Sequence, residues 1–253
     1  MTHKGIALVT GASAGFGKAI TYQLVQDGYK IIAVARRKEK LEQLSHDFPD
    51  QIYPVVMDMT DTRNMETTIH TLPPEWQEID VLVNNAGLAL GVDRIPNISL
   101  SNWDQMIKTN VIGLIHLTQI IIGGMLDRKK GHIISLGSIA GTYPYPGGNV
   151  YGATKAFVAQ FMLNLKTDLI GTPIRVTNIE PGLCGGTEFS DIRLKDHEKA
   201  QAVYEGTTPL TADDIAKTIS WVVGLPAHVN INRIEMMPVC QAPAGVAVFK
   251  NIK

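Results

Sequence analysis

Tyr151 and Lys155 stand four residues apart in Tyr151-Gly152-Ala153-Thr154-Lys155, a spacing that puts a phenol and an ammonium on one face of a helix. The stretch reads as the first turn of a helix running to about Ile170. An ammonium beside a phenol, joined by the further positive charge of an oxidised cofactor ring, favours the phenolate, so the pKa of Tyr151 is expected to fall from its ordinary ~10 toward working pH. A tyrosine tuned in this way can serve as general acid or base toward an alcohol or a ketone. Such pairs also occur on ordinary helices, so the rest of the chain has to supply the company this chemistry needs.

That company begins at the N-terminus. Gly5 to Thr10 is a short apolar run of the kind that forms a buried parallel strand, and Gly11-Ala12-Ser13-Ala14-Gly15-Phe16-Gly17 turns it into a helix from about Lys18 to Asp27. Gly11, Gly15 and Gly17 are what a tight turn needs when its backbone passes close to a pyrophosphate at a helix N-terminus, and Ser13 can add a hydroxyl donor. A second strand, Lys30 to Ala35, ends at Arg36-Arg37. A dinucleotide fold reads the ribose there, with an acid for the 2′-hydroxyl of NAD or an arginine for the 2′-phosphate of NADP. Basic residues at a helix start oppose the macrodipole unless an anion is present, so NADP is expected over NAD.

The later elements follow the same alternation. A helix from Lys38 to Phe48 leads to a third strand, Ile52 to Met57, ending at Asp58, which could accept from an adenine amine or equally be a loop residue or helix cap. After a helix from Asp61 to Leu72, a fourth strand, Asp80 to Val83, closes in Asn84-Asn85-Ala86-Gly87. A long helix is predicted from Ser101 to about Arg128 with Asn110 inside it. Asparagine is a poor interior helix residue, which points to a side chain needed for hydrogen bonding, by distorting the helix, or else to a satisfied surface amide. A fifth strand, His132 to Leu136, precedes Gly137-Ser138, and a sixth, Ile174 to Ile179, precedes a turn at Glu180-Pro181-Gly182. Residues 183 to about 208 read as a substrate lid with short helical parts. Thr211 and Asp214 are spaced as a capping box for a helix to Gly224, and a last strand spans about Asn232 to Met237. In the tail, the apolar part from Ala242 to Phe249 has two readings, packing on another subunit or covering the pocket. The expected fold class is α/β, a Rossmann-type doubly wound parallel sheet of about seven strands in a single domain.

With 253 residues, 45% of them hydrophobic and 19% charged, the chain can bury one large core. A net charge of −1 gives no general attraction to nucleic acid or an anionic membrane. The start of the chain shows no charged-then-apolar signal region, and no uninterrupted apolar run reaches the ~20 residues of a membrane span, so a soluble, cytoplasmic protein is expected. Cys184 and Cys240 are too few and too far apart for a disulfide framework or a zinc site. Free thiols are expected, with Cys184 a small packing side chain, and no metal is needed.

Thr10-Gly11 with Gly15 and Gly17, Asn84-Asn85-Ala86-Gly87, Asn110, Ser138, Tyr151 with Lys155, and Pro181-Gly182 with Thr187 occur in one order along nearly the whole chain. In these motifs the sequence resembles the short-chain dehydrogenase/reductases. The resemblance implies that Tyr151 is the acid/base, that Ser138 hydrogen-bonds the reacting oxygen, that Lys155 holds the nicotinamide ribose and lowers the tyrosine pKa, and that Asn110 orders a water in a proton relay. A closer likeness, in Gly147 to Phe157, Glu180 to Ser190 and Leu225 to Asn232, is to the NADP-dependent 3-hydroxy acid dehydrogenases, also called L-allo-threonine or serine dehydrogenases. It implies NADP as cofactor and a small 3-hydroxy acid or 3-oxo acid as substrate, malonic semialdehyde among them in the reducing direction. It also implies a homotetramer, with Phe16 in the cofactor turn, with Asp58, Met59 and Asn85 at the adenosine and ribose, and with the Pro181 to Phe189 segment, Pro181, Gly182 and Thr187 among its residues, over the nicotinamide. A substrate carboxylate calls for a cation near the lid, for which Arg193, Lys195 and Arg94 are candidates, Arg193 foremost. Two other readings are a carbonyl reductase for larger ketones or acyl thioesters, favoured by the Tyr143-Pro144-Tyr145-Pro146 rim, and an NADP-sensing protein without turnover.

Overall fold

Five consecutive buried residues, Ile6–Thr10 (β1), start a sheet whose apolar runs are buried on both faces, as parallel sheets require. The computed structural model describes residues 3–243, so the part of the apolar tail from 244 to 249 lies outside the described residues. The other strands are Lys30–Ala35 (β2), Ile52–Val56 (β3), Ile79–Asn84 (β4), Gly131–Leu136 (β5), Ile174–Pro181 (β6) and Arg233–Met236 (β7). They pair in parallel in the order β3-β2-β1-β4-β5-β6-β7. The order reverses between β1 and β4, which opens a crevice beyond the carboxyl ends of these two strands.

Successive strand residues point to opposite faces. Ile6 and Leu8 pack with Met65 and Ile69 of helix α3 (Thr62–His70), Leu117 and Ile121 of α5 (Leu114–Arg128), and Val158 and Met162 of α6 (Asn149–Asp168). Ala7 and Val9 face Ile20 and Leu24 of α1 (Gly15–Gln26), Leu41 and Leu44 of α2 (Lys38–Asp47), and Ile215 and Ile219 of α9 (Ala212–Gly224). Thr211 and Asp214 form the expected capping box at the start of α9.

Several boundaries differ from the sequence expectation, each for a local reason. α1 begins at Gly15, three residues before Lys18, so two of the turn glycines belong to the helix itself. Asn84 is the last, buried residue of β4 and not part of the turn, its amide donating to Thr118 Oγ1 at 3.0 Å. Glu180-Pro181 does not turn the chain away. β6 runs through both, because Pro181 still pairs with Met236 of the last strand and the buried Glu180 is held by Arg233 and Asn178. The long helix is real but not uniform. It consists of α4 (Leu100–Ile107), a π-helical stretch at Lys108–Gly113 and α5, with Asn110 in the widened part. This is the distortion the asparagine hinted at, and such stretches recur at functional sites. The whole run is long and apolar enough by composition to cross a membrane, yet half of its most apolar stretch is buried inside this protein.

Between β6 and α9 the chain makes an excursion containing two short helices, α7 (Phe189–Leu194) and α8 (His197–Ala202). Its two feet are tied together: Leu210 N donates to Leu183 O at 3.0 Å and Gly185 N to Leu210 O at 2.9 Å.

Candidate active site

The crevice holds a cavity of about 580 Å³ whose walls come from the turn after β1, the ends of β2 to β6, the start of α6 and the excursion. The turn after β1 is built by steric exclusion. Gly11 has φ +69° and Gly15 φ +51°, left-handed backbone that favours glycine. A Cβ on Gly17 would run into the Gly11 carbonyl and come within 2.6 Å of Asn85 Nδ2. Thr10 Oγ1 accepts from the backbone of Asn85 at 3.0 Å and Ala86 at 2.9 Å, and Asn85 Nδ2 donates to Thr10 O at 2.7 Å. The turns after β1 and β4 are thereby stitched together, and the Asn85 amide is partly spent on that stitch. Ala14, the residue before α1, offers no side-chain cap, so the first N–H groups of the helix are left for an anion. Phe16 also faces the cavity.

Arg36 and Arg37 stand at the rim, as their place after β2 requires. Arg37 Nε and Nη2 donate to Ser13 Oγ at 3.2 and 3.1 Å, and Arg37 Nη1 donates to Glu188 at 2.9 Å. Ser13 is therefore an acceptor toward Arg37 while its own proton stays available to a ligand. Asp58 Oδ1 accepts from Thr60 N at 2.8 Å and Thr60 Oγ1 at 2.9 Å. It caps its loop while also lining the cavity beside Met59. Glycine turn, uncapped helix start and arginine pair fit a dinucleotide with a 2′-phosphate.

At the other end Tyr151 is 9% exposed, Lys155 7% and Asn110 1%. Lys155 Nζ donates to Leu136 O at 2.6 Å and lies 5.9 Å from the Tyr151 ring centre. Asn110 Nδ2 donates to Leu88 O at 2.9 Å and Thr154 Oγ1 at 3.1 Å, while its Oδ1 accepts from Leu88 N at 2.9 Å. That amide clamps the loop after β4 onto α6, leaving little of it for a water. Ser138 Oγ accepts from Ala140 N at 3.1 Å, which sets the hydroxyl at the mouth of a single 3₁₀ turn, Ile139–Gly141.

In the protein alone, burial sets the protonation of Tyr151 and Lys155. Burial pushes Tyr151 up to about 12, with a hydrogen bond from Ser138 pulling down, rather than Lys155 bringing it toward neutrality. Burial pushes Lys155 the other way, to about 8. A dry site favours the neutral form of both groups, and the expectation from helix spacing counted the charges without the loss of water.

Of the three candidate cations, Arg193 lines the cavity, whereas Arg94 and Lys195 are exposed outside it. Arg193 Nη2 donates to Tyr145 OH at 2.8 Å, and its Nε is buried without a partner. Pro181, Gly182 and Thr187 line the same wall. Cys184 is there too, its thiol pushed up to about 12 by burial, which makes it inert packing. Glu188 and Phe189, within the segment expected over the nicotinamide, line the cavity as well, and Tyr204 and Gln241, which sequence reasoning missed, join them. Phe189 lies 5.9 Å from Tyr151, ring centre to ring centre, and Gln241 Oε1 accepts from Leu183 N at 2.7 Å. No motif marks Tyr204 or Gln241; Tyr204 reaches the cavity on the excursion and Gln241 from the segment after β7.

A family model described as short chain dehydrogenase matches residues 5–198. The chain is 52% identical over 247 residues to an NADP-dependent 3-hydroxy acid dehydrogenase of Escherichia coli, covering 97% of this chain and 100% of that one. It is 46% identical over 248 residues to a serine 3-dehydrogenase of Rhizobium radiobacter, covering 98% and 99%. Among solved structures it is similar to the closed form of a serine dehydrogenase complexed with NADP+, with TM-score 0.94 and 52% identity over 97% of this chain and 99% of that one.

Proposed function

The chain belongs to the short chain dehydrogenase family, and from that premise we propose that it interconverts small 3-hydroxy acids, such as L-serine, L-allo-threonine and 3-hydroxypropionate, with their 3-oxo acids, using NADP. The observation that carries this reading is the division of one cavity, with Arg36 and Arg37 at one end and Tyr151, Ser138 and Arg193 at the other. Bound NADP supplies the hydride acceptor, or in its reduced form the donor.

The side chains do the remainder. Gly11, Gly15, Phe16 and Gly17 with the start of α1 cradle the pyrophosphate; Ser13, Arg36 and Arg37 take the 2′-phosphate; Asp58, Met59 and Asn85 border the adenosine and ribose. Pro181, Gly182 and Thr187 lie over the nicotinamide, whose ribose Lys155 holds. Ser138 donates to the reacting oxygen, and Tyr151 gives that oxygen its proton in reduction or removes it in oxidation. Asn110 is a positioning residue, holding the loop after β4 against α6 through Leu88 and Thr154. The 183–208 segment acts as the lid, since it carries Phe189 and Arg193 into the cavity on feet that are pinned together. A cytoplasmic homotetramer belongs to the same reading, supported by family likeness.

Initial rates with L-serine, L-allo-threonine, 3-hydroxypropionate and a neutral secondary alcohol, each with NADP and with NAD, test the reading. Turnover of the hydroxy acids with NADP is expected; turnover of the neutral alcohol alone would discard the acid assignment. Arg193 is assigned to the substrate carboxylate, because it is the cation at the Tyr151 end held in place by Tyr145. A charge-assisted hydrogen bond contributes roughly 1.5–3 kcal/mol, so Arg193→Ala is expected to raise KM for the hydroxy acids by about 10-fold or more. KM for the neutral alcohol should barely change; equal rises in both would remove the assignment.

A further inference from the structure

Arg37, one of the two arginines expected to read the 2′-phosphate, already holds an anion, and that anion comes from the lid. Glu188 accepts from Arg37 Nη1 through both carboxylate oxygens, at 3.1 and 2.9 Å, and from Lys40 Nζ at 3.0 Å. The opposite edge of the Arg37 guanidinium is taken by Ser13 Oγ. Its donors thus point to two acceptors, and of these Glu188 is the charged one. A phosphate that engages Arg37 with the fork geometry guanidinium prefers has to displace Glu188, or face its charge across a few ångströms.

The displaced carboxylate has somewhere to go. Glu188 lies on the wall between the main cavity and a second one of about 530 Å³, which Lys18, Lys40 and Gln43 also line. Lys40 can keep hold of the carboxylate as it swings away from Arg37. Neighbouring lid residues reach both ends of the site: Thr187 stands where a Cβ on Gly15 would meet it, and Phe189 lies against the Tyr151 ring.

Resting on the NADP reading and going beyond it, we infer that Glu188 is a built-in competitor for the cofactor's 2′-phosphate. It occupies Arg37 and Lys40 from the lid, lowers the affinity for NADP relative to NAD and makes the lid's hold on the adenosine end conditional on which cofactor is present. NAD, with a hydroxyl at that position, leaves the Glu188 contacts in place.

The test is direct binding of NADPH, NADH and 2′,5′-ADP to the full chain, wild type, E188Q and E188A, by calorimetry or nicotinamide fluorescence. Both partners are partly exposed, and such pairs contribute up to about 1 kcal/mol. E188Q is therefore expected to tighten NADPH and 2′,5′-ADP about threefold to fivefold and to leave NADH unchanged, with E188A moving the same way. Weaker NADPH binding in both variants, no change, or an equal shift for NADPH and NADH overturns the inference. The wild type alone tests the underlying reading: if it binds NADPH no more tightly than NADH, the NADP reading fails. In that case a preference for NADPH appearing in E188Q upholds the competitor, and its absence overturns both.

Discussion

Tyr151→Phe is expected to lower kcat for the hydroxy acids by about 10²–10⁴-fold, the range that a positioned acid or base contributes, while NADPH binding stays within about twofold. The substitution removes one oxygen from a ring that is buried and packed on Phe189, so the fold has no reason to change. The direction of the pKa shift adds a second signature. Tyr151, held near 12 by burial, is protonated at neutral pH in the protein alone. That state serves reduction, where the phenol supplies a proton, and oxidation should gain rate as pH rises through the alkaline range. The Phe variant should lose this alkaline slope along with its rate. Initial rates from pH 6 to 10 in both directions check this, and a variant keeping wild-type kcat where chemistry is rate-limiting would discard the tyrosine mechanism.

Acid should unfold the protein through one histidine in the middle of the sheet. His132 on β5 is buried, with Nε2 2.9 Å from Thr177 Oγ1 and Nδ1 unpartnered. Burial, with Arg175 adding to it, pushes its pKa down from 6.5 to about 3. Because the folded value lies below the unfolded one, the unfolded chain binds the extra proton between these limits. This group's contribution is therefore intact above about pH 6.5 and is lost progressively as pH falls toward 3. At roughly 1.4 kcal/mol per unit, going from pH 7 to pH 5 should cost about 2 kcal/mol, a large part of a stability of ~5–15 kcal/mol. Urea unfolding at the two pH values, on wild type and His132→Gln, separates this group from the carboxylates. The variant should show a shallower loss by about that amount; equal losses would clear His132.

Sheet and helices were legible because apolar runs of five or six residues, closed by glycine or charge, recur with the spacing of a doubly wound fold. The glycine turn, the arginine pair and the face shared by Tyr151 and Lys155 could be read from spacing alone, and the structure brings them to one cavity. Asn110 was legible as a misfit, although its two clamps, on Leu88 and Thr154, depend on which loop lies opposite. What could not be read is what the fold creates over distance. The Arg37 to Glu188 pair joins residues 151 apart in the chain. Burial, which no local spacing reports, is the largest influence on Tyr151 in the protein alone. Pro181 read as part of a turn beyond the strand and is instead its last paired residue, because β7 arrives from far along the chain to meet it.

The two hydrogen bonds that join Leu183 and Gly185 to Leu210 also make the excursion a cassette. Everything between those feet leaves the sheet at one point and returns beside it, so lengthening or exchanging the insert costs little closure entropy and leaves the strands in register. Arg193, Phe189 and Glu188 all ride on it, whereas the glycine turn, Ser138 and the Tyr151 helix belong to the chassis. Exchanging the insert between 183 and 210 is therefore expected to change what the cavity admits while the elements that carry Ser138 and Tyr151 stay in place.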